Sequence, residues 1–98
     1  MAPGLTDSAF HRITKALAEP NRFRILQRLA GSPEALHCQL LLGEMRVAPA
    51  TMSHHLKELS TAGLIDTRKD GQHLLAEANH QMIARYEREL SRRLKTTD

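Results

Sequence analysis

The hydrophobic period of this chain changes at Gly63, and that change limits the fold more than any other feature. Upstream, apolar residues recur at intervals of three and four, the spacing of one face of an α-helix. Downstream, two short extended runs, 64–68 and 73–77, bracket Lys69-Asp70-Gly71-Gln72. Asp-Gly between extended runs is a hairpin signal, because glycine accepts the positive φ that the turn requires. Helical spacing then resumes after Asn79. The predicted order is four helices, a hairpin and a last helix, within one domain over 6–95. At 98 residues the chain has no room for a two-domain enzyme.

The helix boundaries follow from their end signals. Thr6 is placed to cap a first helix whose apolar face is Phe10, Ile13 and Leu17, with Ala9 and Ala16 beside them. Pro20 suits the first position of a second helix, with Phe23, Leu26 and Leu29 as its stripe, Ile25 and Ala30 widening it, and Gly31 closing it. A third helix is expected within 34–45, carrying Leu36, Leu40 and Leu41 inward. The fourth opens at Pro49. At about 100° per residue Met52, Leu56 and Leu59 share its buried face, His55 sits at the edge, and Ala50, His54, Lys57 and Thr61 lie opposite, flanked by Thr51 and Ser53. Asn79 can cap the last helix, where Ile83, Tyr86, Leu90 and Leu94 make a narrow stripe in a basic surround, and Glu89 to Arg93 is a favourable i,i+4 pair.

Composition removes several classes of function. The aromatics are Phe10, Phe23 and Tyr86, with no Trp, too few for the stacking platforms of single-strand readers. One cysteine, Cys38, excludes an intrachain disulfide and fits a reducing, cytoplasmic setting. No apolar run exceeds three residues, so no membrane span is expected, and Met1-Ala2-Pro3-Gly4 leads into polar residues unlike a secretory leader. Catalysis finds no footing either. Ser53 and His54 are neighbours on a helix and point apart, and there is no glycine-rich phosphate loop.

The remaining constellation is two helices joined tightly (about 34–62) followed by a basic hairpin (about 64–77) and a last helix (about 79–95). That is a winged helix-turn-helix pattern in a mainly α (α+β) chain. The B-DNA major groove admits one helix, whose N-terminal side chains reach base edges. Ala50, Thr51, Ser53, His54 and Lys57 occupy that position on the fourth helix, and Arg68, Lys69 and Gln72 supply a basic, hydrogen-bonding wing. The expected partner is double-stranded DNA.

At Ala50-Thr51-Met52-Ser53-His54-His55-Leu56-Lys57-Glu58-Leu59 and Ala62-Gly63-Leu64-Ile65 the sequence resembles the ArsR/SmtB family of bacterial repressors. Ala16-Leu17-Ala18-Glu19-Pro20-Asn21-Arg22-Phe23-Arg24-Ile25-Leu26 resembles the family's first-to-second helix junction, and Arg68-Lys69-Asp70-Gly71-Gln72-His73 its wing. The resemblance implies a homodimer joined through the first and last helices, which assigns Phe10, Ile13, Leu17, Ile83, Tyr86, Leu90 and Leu94 to the interface. It also implies a repressor that binds a palindromic operator and is released by an effector, here of unknown identity.

The departures from the family concern that effector. Where metal-sensing relatives carry Cys-x-Cys-Asp, gapless counting back from Ser53 gives His37, Gln39 and Leu40, with Cys38 in the middle position. Near the family's other zinc pairs stand His80-Gln81-Met82 and Arg92-Arg93-Leu94-Lys95, and the second set repels cations. No metal ligand set and no cofactor is therefore assigned. Two alternatives stay open: a winged-helix module that binds a protein, and a thiol- or metal-responsive sensor acting through Cys38 or the dispersed histidines.

Overall fold

A computed structural model describes residues 4–95. Met1-Ala2-Pro3, part of the stretch read above as unlike a leader, lies outside them. The elements are α1 (Asp7–Leu17), α2 (Pro20–Ala30), β1 (Leu36–His37), α3 (Cys38–Met45), α4 (Pro49–Thr61), β2 (Ile65–Asp70), β3 (His73–Ala78) and α5 (His80–Leu94). Among the described residues no helix is long and apolar enough to cross a membrane.

The helix starts are made by side chains that occupy otherwise unpaired backbone amides. Thr6 Oγ1 accepts from the Ala9 amide at 3.1 Å, and Asn79 Oδ1 from the Met82 amide at 3.0 Å. Glu19 caps α2, its Oε2 accepting from the Arg22 amide at 2.9 Å, with Pro20 in the first turn. The core is then one cluster to which α1 gives Ile13, α2 Ile25 and Leu29, α3 Leu41, α4 Leu59, and the entry to the hairpin Leu64 and Ile65, all fully enclosed. Each of these aliphatic side chains contributes about 1.5–3 kcal/mol by leaving water. Truncating Leu59, on α4, to Ala would cost about 2–5 kcal/mol.

Four expectations need correction. α3 falls within the expected 34–45, but Leu36 does not lie on it. Ser32 Oγ bonds both the carbonyl and the amide of Glu34, at 2.6 and 3.3 Å, which holds a turn. Leu36 and His37 then form a short strand paired with Ala76 and Leu75 of β3. The sheet is thus three-stranded and antiparallel in the order β1-β3-β2, and α3 starts only at Cys38. Leu40 consequently points outward and is 43% exposed, leaving Leu41 to fill the core. Phe23 is 45% exposed, because α2 turns its Ile25–Leu26–Leu29 side inward and Phe23 lies more than a quarter-turn from the centre of that face. The hairpin strands run closer together in sequence than expected, through Asp70 and His73, with Gly71-Gln72 alone as the loop. Gly71 has φ +65 and Gln72 does not share the positive φ, the pattern of a turn with glycine at its first central position.

Candidate nucleic-acid interface

The recognition-helix candidate, α4, is held from behind and open in front. Met52, His55, Leu56 and Leu59 are buried, while Ala50, Thr51, Ser53, His54 and Lys57 are all exposed. His54 and His55, adjacent in sequence, face opposite surroundings. The His55 ring lies at the α2–α4 seam, with Nε2 3.6 Å from Glu19 Oε2. Arg22 on the same seam reaches Glu58 at 3.6 Å. These contacts fix the rotation of α4 about its axis, and hence which side chains face outward.

The start of α4 has no side-chain cap: Ala48 precedes it, Pro49 occupies the first turn, and the Met52 amide is the first to bond back, to the Ala48 carbonyl at 2.9 Å. The amides of Ala50 and Thr51 precede that bond and lack intrahelical acceptors. They project from the positive end of the helix dipole, an arrangement that favours anions such as phosphate.

The turn between α3 and α4 places a residue that sequence reasoning missed. Arg46 is the left-handed cap of α3, with φ 55, and is exposed just ahead of α4. It is the one described non-glycine residue with positive φ. A basic residue beside the apolar Val47 in a three-residue turn was the available signal.

The wing brings its residues to different faces. In register, Arg68 opposes Leu75 and Lys69 opposes Leu74. Lys69, Thr67 and Leu74 therefore share the face that continues to Ile65 and Ala76, and Arg68 lies on the other face with Glu77, to which it bonds at 3.2 Å. Both partners of that pair are exposed, so it contributes little and can open. Gln72 stands in the loop.

Helix and wing meet in two concavities. One, of about 310 Å³, is lined by Ser53, Leu56, Lys57, Ser60, Thr61, Thr67 and Leu74. The other, of about 210 Å³, is bounded by His37, Cys38, Gln72 and His73 and by the start of α4. The His37 and His73 rings meet edge-on there at 5.1 Å. Burial pushes the Cys38 thiol above its usual pKa, so it stays a protonated thiol at neutral pH rather than a reactive thiolate. Among the described residues, no three His, Cys, Asp or Glu side chains gather as a metal would need.

The residues assigned from the first and last helices divide in two. Ile13 is wholly enclosed by the chain's own core and Phe10 nearly so, which turns both away from any partner. Leu17, Ile83 and Tyr86 are half-buried, and Leu90 and Leu94 are exposed, Leu94 by 73%. Tyr86 ties α5 to α1: its ring stacks on Phe10 at 5.1 Å and its hydroxyl meets Thr14 Oγ1 at 2.6 Å. Arg93 completes the tie, reaching Asp7 at 2.9 Å and the Leu5 carbonyl at 3.3 Å, and lying 4.2 Å above the Phe10 ring.

A helix pair with an exposed polar helix start, flanked by a two-stranded wing, defines a winged helix-turn-helix protein. A family described as a helix-turn-helix domain matches residues 17–68. The arsenical resistance operon repressor of Staphylococcus xylosus is 35% identical over 71 residues, covering 72% of this chain and 66% of that protein. An ArsR-like transcriptional regulator from Rhodococcus sp. RHA1 superposes with TM-score 0.77 at 22% identity, over 87% of this chain and 78% of the other. A homodimeric winged helix-turn-helix DNA-binding domain from Mycobacterium bovis superposes with TM-score 0.71 at 20% identity, over 99% and 97%. This chain belongs to the ArsR family of winged helix-turn-helix regulators. It spans just under two thirds of the length of the first curated relatives it matches.

Proposed function

We propose that the protein is a sequence-specific, double-stranded-DNA-binding transcriptional regulator, a homodimer that represses from a palindromic operator in the cytoplasm. Base edges are read by Ala50, Thr51, Ser53 and His54, with Lys57 adding charge further along α4. Arg68, Lys69 and Gln72 meet the backbone or minor groove beside it. The single observation that carries this reading is α4 itself: its apolar half is locked into the core while every small polar residue of its first two turns is exposed. That is the presentation a helix needs to enter a major groove.

Three findings support the wider reading. The free amides at the start of α4 suit a phosphate, the wing stands next to the same helix, and one relative is named as an operon repressor. Dimerisation is supported by the exposed Leu90 and Leu94 on α5 and by the homodimeric state of the Mycobacterium bovis domain. Two copies would read half-sites about one helical turn apart.

The test is a footprint on DNA upstream of the protein's own gene with Ser53→Ala/His54→Ala. Each lost base contact costs about 1–3 kcal/mol, so specific affinity falls at least about tenfold while sedimentation still shows the dimer. An unchanged footprint would reject α4 as the reading helix.

A further inference from the structure

The face of α1 opposite its core side carries a second concentration of charge. Ser8, His11, Arg12 and Lys15 stand at i, i+3, i+4 and i+7, which sets them in one row along the helix. They do not project from a convex surface. Together with Glu58 and Thr61 near the end of α4 they line a cleft of about 330 Å³. Among the described residues, none of His11, Arg12 and Lys15 has an ion-pair partner, so their donors are open to a ligand. Glu58, the one carboxylate in the lining, is met from α2 by Arg22 at 3.6 Å, which offsets its charge.

We propose that this cleft between α1 and the end of α4 binds a phosphate-class oxyanion. Arg12 and Lys15 supply the charge, the guanidinium offering a planar pair of donors and the ammonium a point charge. The Ser8 and Thr61 hydroxyls supply neutral donors, and His11 a ring nitrogen. The wall made by α4 distinguishes the cleft from an ordinary convex helix face, because it sets the Thr61 hydroxyl opposite the α1 row. Two sources present this chemistry: a small free anion, and a backbone phosphate of a bound duplex lying beyond the groove read by α4. Either would touch Thr61 and so report on the helix proposed to read DNA.

The experiment has two arms, both using Arg12→Gln/Lys15→Gln, which leaves the core untouched, and Arg24→Gln/Arg88→Gln as an equal-charge control. In the first, inorganic phosphate is titrated against the DNA-free protein at constant ionic strength while NMR follows the amides of residues 8–15 and 58–61 and the His11 ring. Saturable shifts confined to those residues are expected, weakened at least fivefold in the cleft variant and retained in the control. In the second, duplex affinity is measured across salt concentrations. A slope reduced by about 1.8, or about 0.9 for the one phosphate lost from each of the two protomers' clefts, identifies the DNA backbone as the source. An unchanged slope beside a positive phosphate titration identifies a free anion. Failure of both arms, with no saturable shift and no slope change beyond the control, overturns the proposal. The duplex arm rests on the DNA-binding reading and the phosphate arm does not. If the wild type holds no duplex, that reading fails and the phosphate titration alone decides the cleft.

Discussion

Glu89 shows how much one side chain of α5 organises. It is almost fully buried on an otherwise half-clad helix, and Arg92 and Arg93 both bond to it, Arg93 Nε at 2.7 Å. Those hydrogen bonds, Arg92's first and then Arg93's, hold its carboxyl well below the usual carboxylate range, at about 2. A carboxylate depressed in the folded state adds stability that is full above its unfolded pKa of about 4.3 and is lost as pH falls towards the folded value. Glu89→Gln is therefore expected to lower the melting temperature at pH 7, with the gap to wild type closing between about pH 4.5 and pH 2. Thermal unfolding across that range checks it, and a constant gap would contradict the assignment. The Glu89–Arg93 pair was legible from i,i+4 spacing. Its burial was not, because that depends on the other end of the chain, where Gly4 lies against the Glu89 carboxylate.

Elements with strong local signals were readable in advance, and those made by distant pairing were not. The row Met52, Leu56 and Leu59, with Pro49 at the start, marked α4 and its outward face, and capping residues marked α1, α2 and α5. β1 has two residues, too short for any period, and exists only because β3 offers it Ala76 and Leu75. The same pairing kept Leu36 off α3 and exposed Leu40. In the wing, Asp-Gly placed the hairpin, but the two-residue loop fell at Gly71-Gln72 rather than across four residues. Gly71 has open space where a side chain would go, so Gly71→Ala meets only the backbone cost of φ +65, about 1–2 kcal/mol. Amide exchange in residues 68–75 should accelerate about five- to thirtyfold in that variant while the α2 amides stay protected. Unchanged wing protection would show that the turn tolerates a side chain.

At the scale of the molecule, the described residues span 52 × 25 × 21 Å, with a radius of gyration of 14.5 Å. That is larger than the roughly 13 Å usual for 100 residues in a compact domain. α5 leaves Leu90 and Leu94 uncovered, while Phe10 and Ile13, expected at the same seam, are spent inside the core. The proposed dimer therefore rests on the outer half of the stripe, and Leu90→Glu/Leu94→Glu should convert dimer to monomer in sedimentation with helix content unchanged. A variant that remains dimeric would place the interface elsewhere. Dimerisation also sets what the DNA must look like, since two recognition helices related by a two-fold axis demand a two-fold site. Selection of bound duplexes from a random pool at physiological salt tests this most directly. The account predicts an inverted repeat with half-site centres about 10–10.5 base pairs apart, or a multiple of that spacing. A pool retained by charge alone, with no enriched motif, would contradict it.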